Sequence, residues 1–170
     1  SGIGFLDHQV HQYFWLAVIL TGLVCLAGPL RDTHTDNSAS VNRYLTTLKT
    51  WGIVALIGLA VGVSAHIWGG SPLLIAPLLV YVLLRTPVDI RAGLSPVRAL
   101  LPVVAAVAAG AGVALGLHLF LNWGELFVVL MPVYVAFGSV VIIGVGELWR
   151  RLNLPPAGLI PVEAGFAVIG

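Results

Sequence analysis

The sequence predicts an all-α fold: a polytopic transmembrane helical bundle of about five spans, with the N-terminus outside and the C-terminus inside. Three observations predict it. Hydrophobic residues make up 59% of the chain and charged residues 9%, with a mean hydropathy of +1.03, whereas soluble domains carry roughly 25% charge. A soluble domain of this size could not hide so much apolar surface. The apolar runs are also long and unbroken, unlike the alternating in-and-out pattern of a membrane β-barrel. Finally, all eight Lys and Arg residues fall in three segments, after spans one and five and around the loop after span three.

At roughly 20 residues per crossing, the first span is 13–30, introduced by the aromatic group Tyr13-Phe14-Trp15. The second is 50–68, ending at Trp68, after a polar connector expected to turn helical near Ser40. The third, 72–86, is short and carries Pro77, which removes a backbone donor, so the segment is expected to be tilted, broken or only partly inserted. The fourth, 98–121, is rich in Gly and Ala, and the fifth is 125–148. The tail 153–170 has prolines that argue against a further span, so it is expected on the inner surface or against a partner. The whole chain, 1–170, reads as one membrane domain without internal repeats.

Orientation follows from the positive-inside rule. Arg31, Arg43 and Lys49 follow span one, Arg85, Arg91 and Arg98 lie around the loop after span three, and Arg150-Arg151 follow span five. The connections after spans two and four carry no basic residue, nor does the N-terminal segment. The expected location is therefore the cell membrane, as a multi-pass protein.

With that orientation His66 and His118 both lie toward the outer leaflet. His66 follows Gly62 and Gly58 at intervals of four, and His118 follows Ala114 and Gly110 in the same way. Stripes of small residues let helix backbones approach closely in lipid, and a polar side chain beside one points into the bundle. Gly58, Gly62, Gly110, Gly112 and Gly116 are thus the expected helix-packing positions. For the histidines three readings stand side by side: hydrogen bonding at or near the interface, axial ligation of a b-type haem between spans two and four, and a divalent metal site recruiting N-terminal residues.

The N-terminal stretch GIGFLDHQVHQ supplies those candidates. On a helix Asp7 and His11 stand four residues apart and His8 and His11 three, a spacing compatible with a metal and equally with a hydrogen-bonding turn before the aromatic collar. The stretch resembles the GxGFxDHMLxQ segment of imidazoleglycerol-phosphate dehydratase, which lies in a manganese-binding region. That soluble enzyme continues with further His-rich motifs, whereas this chain runs on into YFWLAVILTGLVCLAGPL, so the resemblance ends there.

Other motifs exclude more than they suggest. HLFLN and GELWRR resemble the HxxxN and EExxxR boxes of CAAX-type intramembrane proteases, but they stand in the reverse order and only the single Glu147 is present. HExxH, GxSxG, P-loop and CxxC motifs are missing, and the lone Cys25 lies inside span one. Glu147 is expected to pair with Arg150 or Arg151 at helical spacing. A net charge of +1 gives no support to nucleic-acid binding. The function expected is a non-catalytic membrane subunit or anchor of a larger assembly, whose partners are the bilayer and other membrane subunits or further copies of itself. The alternatives are a b-type haem electron-transfer subunit and a small-solute or ion transporter component. Pro77, Pro102 and Pro132 favour the transporter, and the lack of a charge near mid-membrane opposes it.

Overall fold

The computed structural model describes residues 3–27, 46–67, 72–122, 125–155 and 158–159. Side chains in 3–9, at 11, 12, 27 and 67, and in 72–74 are not among those described. Within these residues the chain forms five helices and no strand: α1 (Ile3–Ala27), α2 (Leu48–Ile67), α3 (Pro72–Arg91), α4 (Pro96–Leu121) and α5 (Leu126–Arg151). Three of them, α2, α4 and α5, are long and apolar enough to cross a membrane.

The helix boundaries differ from the expected spans where local chemistry overrides hydropathy. Helix α1 starts at Ile3, so the Asp7–His11 turn continues the apolar helix instead of preceding it. Helix α3 runs intact through both Pro77 and Pro87 to Arg91, five residues past the expected end at 86. Its C-terminal part is reinforced by side chains: Thr86 Oγ1 donates to the Val82 carbonyl at 2.8 Å, and Arg85 pairs with Asp89 one turn on. The helix stops where the sequence supplies a glycine. Gly93 adopts φ +75°, its N–H donates to the Ile90 carbonyl, and the Leu94 N–H donates to the Asp89 carbonyl. These two bonds form a Schellman cap, which favours glycine at the left-handed position. Pro96 then opens α4 at a position where its missing N–H costs nothing.

Helix α5 ends in the same way with asparagine in place of glycine. Asn153 has φ 53°, its N–H reaches the Arg150 carbonyl, and the Leu154 N–H reaches the Trp149 carbonyl. The start of the tail then folds back on the helix. Trp149 Nε1 donates to the Pro155 carbonyl at 3.0 Å, Gly158 lies against the Trp149 ring, and Leu159 is fully buried. Residues 160–170 and Ser40 lie outside the described residues, as do Trp68 and Trp123.

The core is drawn from all five helices: Ile19 and Leu23 of α1, Ile57 and Val61 of α2, Leu78 and Val82 of α3, Leu100 and Val107 of α4, and Ile142 and Ile143 of α5. Outside it the surface stays apolar, with Leu56, Leu84, Phe120, Phe127 and Phe137 more than half exposed. Apolar side chains that are abundant on both faces of a helix suit a lipid surround.

The most extensive helix contact joins α2 to α4. A Cβ on Gly58 would stand 2.8 Å from Ala109 Cβ and 3.0 Å from the Ala106 oxygen, and one on Gly62 would stand 2.5 Å from Val113 Cβ. Moving one turn along α2 therefore moves the contact one turn along α4 in the same direction, and the two helices run parallel. Lys49 and Arg98, near their starts, thus share one end of the bundle. The tight turn 92–95 brings the end of α3 to that end, and a hydrogen bond from Ser95 to Glu147 brings the end of α5 there too. All six basic residues among those described gather at this end.

Candidate functional site

His66 and His118 lie toward the opposite end. His66, in the last turn of α2, is buried, and its Nδ1 lies 3.1 Å from the carbonyl oxygen of Gly62. A carbonyl only accepts, so this bond requires the hydrogen on Nδ1 and, in the neutral ring, leaves the lone pair on Nε2. Neighbouring Ser64 likewise donates to its own helix, to the Val61 carbonyl at 2.9 Å. His118 sits in the last turn of α4, partly exposed and one turn beyond the fully buried Ala114.

The parallel register relates the two histidines. Gly110 packs between Gly58 and Val61, so Ala114 falls one turn later, and His118 falls near the level of His66. The register thus carries both imidazoles to one end of one helix pair. It also brings α2 and α4 into backbone contact below them, since a Cβ on Gly62 would meet the Gly110 oxygen at 2.8 Å. A haem plate set between the rings needs these helices to stand apart at that level, which the contact one turn away opposes.

The glycines divide by helix face. Gly58, Gly62 and Gly110 lie in the α2–α4 contact. At Gly112 and Gly116 an added Cβ would meet nothing within 4 Å among the described residues, because each lies two residues, or about 200°, round the helix from the Gly110–Ala114 stripe. Among the described residues neither position packs against another helix. Two close approaches involve positions the packing stripes did not include: Gly22 of α1 against Ile57, and Gly146 of α5 against Thr86 of α3.

Asp7, His8 and His11 occupy the first turns of α1, but their side chains are outside the described residues. Among the described residues no group of three or more His, Cys, Asp or Glu is close enough to hold a metal.

Sequence reasoning missed the charge cluster at the basic end. Asp89 is fully buried and accepts from Arg85 Nε at 2.7 Å, while its second oxygen, also buried, has no hydrogen-bond partner among the described residues. The Arg-x-x-x-Asp spacing was the available signal; the prolines around it made the segment read as a loop. Glu147 was anticipated correctly. Its carboxylate accepts from Arg150 at 2.6 and 3.2 Å, from Arg151 at 3.2 Å, and from Ser95 Oγ of the preceding interhelical turn at 2.9 Å. One carboxylate thereby ties the start of α4 to the end of α5.

Compared with known proteins, the chain matches no family, no curated protein and no solved structure.

Proposed function

We propose that the chain is a non-catalytic integral membrane subunit or anchor of a larger membrane assembly, crossing the bilayer five times with its basic end inside. The observation that carries this reading is the outer face of α4. Ala108, Gly112 and Gly116 follow at intervals of four, Ala108 and Gly112 are exposed, and a Cβ on either glycine would meet nothing within 4 Å among the described residues. A ridge of small residues on the outside of a bundle is a seat for another helix, because in lipid association depends on close backbone approach. The same pattern on the inner face of α4 already seats α2.

The crossing count rests on helix direction. Since α2 and α4 are parallel, the chain between them must return across the bundle, and α3, at 20 residues, spans about 30 Å when fully helical. The inside assignment rests on the gathering of basic residues at one end.

Gentle detergent extraction tests the reading. The chain should come out with stoichiometric partner subunits or as a homo-oligomer, and Gly112→Leu with Gly116→Leu should abolish that association while membrane insertion persists. A monomeric wild-type chain that moves ions or solutes in reconstituted vesicles would overturn it in favour of a transporter.

A further inference from the structure

Between the C-terminal ends of α3 and α5 lies an open groove of about 510 Å³, lined by Ile90, Arg91, Gly93, Arg150, Asn153 and Leu154. We propose that this groove binds the headgroup of an anionic phospholipid, with the phosphate between Arg91 and Arg150 and the glycerol end against Ile90 and Leu154. The proposal rests on the membrane reading but not on which side of the membrane the groove faces.

Charge is the first argument. Arg91 and Arg150 line the groove, and the Glu147 carboxylate that pairs with Arg150 is shared with Arg151. Arg91 enters none of the salt bridges among the described residues. The nearby Asp89 is occupied by Arg85. A surplus of guanidinium therefore faces the groove, and guanidinium is suited to phosphate oxygens by its planar fork of donors.

The two Schellman caps are the second argument. Helix C-termini repel anions through their exposed carbonyls. Here the carbonyls of Asp89, Ile90, Trp149 and Arg150 are each satisfied by an N–H of the turn that follows, so the arginines are not spent on them. Those N–H groups are equally occupied, which leaves the side chains to hold the ligand.

Depth is the third argument. Trp149 precedes Arg150 and holds Pro155 beside the groove through its indole N–H. An indole of this kind sits preferentially at headgroup level, and basic pockets between helix ends at that level suit anionic headgroups. The volume lies within the range of small-ligand sites, roughly 300–1,000 Å³, and apolar Ile90 and Leu154 beside the arginines match a headgroup joined to its acyl chains better than a free ion.

Native mass spectrometry of the full chain in mild detergent tests this, with dioleoylphosphatidylglycerol, dioleoylphosphatidylcholine and inorganic phosphate as probes. Phosphatidylglycerol should bind at lower concentration than phosphatidylcholine. Arg91→Gln should reduce that preference about fivefold, Arg150→Gln should act in the same direction, and exposed Arg98→Gln should leave it unchanged. Arg91→Gln breaks no ion pair among the described residues, so it remains informative if Arg150→Gln fails to fold. Equal binding of the two lipids, or an unchanged preference in Arg91→Gln, would overturn the site. Displacement of phosphatidylglycerol by millimolar phosphate would also overturn it, as a soluble-anion site. A chain that stays monodisperse without detergent would instead sink the membrane reading itself.

Discussion

A Cβ placed on Gly62 of α2 would stand 2.8 Å from the carbonyl oxygen of Gly110 on α4, and one placed on Gly110 would stand 3.1 Å from the carbonyl oxygen of Gly58. The contact is reciprocal and leaves no room for a side chain on either helix. Gly62→Val should therefore destabilise the bundle by about 1–3 kcal/mol, the cost of overpacking a filled interior. Gly112→Val, with no neighbour within 4 Å of its Cβ among the described residues, should leave intrinsic stability unchanged. Helicity followed through an SDS titration in mixed micelles separates the two. Equal loss from both variants would contradict the assigned faces of α4.

The pair at Arg85 and Asp89 is asymmetric in burial, and its variants should be too. The Asp89 side chain is fully buried, while that of Arg85 retains 23% exposure. Arg85→Leu strands a carboxylate in the interior, which costs about 3–5 kcal/mol when a buried pair is broken. Asp89→Leu leaves an arginine that can extend its head toward water, so its cost should be clearly smaller. The double variant should recover most of what Arg85→Leu loses, since apolar replacement of a buried pair is often neutral. The same SDS titration reads all three. A smaller loss for Arg85→Leu than for Asp89→Leu would contradict the burial argument.

These two cases show what the sequence could and could not disclose. The helical class, the three helices long and apolar enough to cross a membrane, and the clustering of basic residues follow from composition and spacing. The two faces of α4 do not. Gly110, Gly112 and Gly116 belong to one glycine-rich run, and only the position of Val61 and Val113 tells which glycine meets α2. The last turn of α3 was hidden for a different reason. Pro87 and the charges beside it have the composition of a loop, yet the Arg85–Asp89 pair and the cap at Gly93 keep the backbone helical to Arg91. Tertiary and capping terms there outweigh local propensity.

For the histidines the expected effect is structural. His66 is buried and bonded to the Gly62 carbonyl, so His66→Ala should cost about 0.6–2 kcal/mol of helix association. His118, partly exposed at the end of α4, should cost less when replaced by alanine. The purified protein, oxidised and then reduced with dithionite, should show no b-type haem band, because α2 and α4 are in contact one turn below the rings. A sharp reduced band lost in either single variant would reverse this and establish bis-histidine ligation.

The final prediction concerns sidedness, which the geometry makes unusually easy to test. Lys49, Arg85, Arg91, Arg98, Arg150 and Arg151 lie at one end of the bundle, with His66 and His118 toward the other, since α2 and α4 are parallel and Ser95 joins Glu147. Basic residues are retained on the cytoplasmic side during insertion. A reporter fused after Arg151 should accordingly behave as cytoplasmic. In a Cys25→Ser background, which removes the chain's one cysteine, Gly70→Cys should react with a membrane-impermeant maleimide from outside intact cells, and Gly93→Cys should react only after lysis. Because the α3–α4 turn and the end of α5 are tied at the same end, the reporter and Gly93→Cys must agree with each other whichever way the protein inserts. Disagreement between them would refute the arrangement of helices, whereas joint reversal would refute only the orientation and carry the histidine end to the cytoplasmic side.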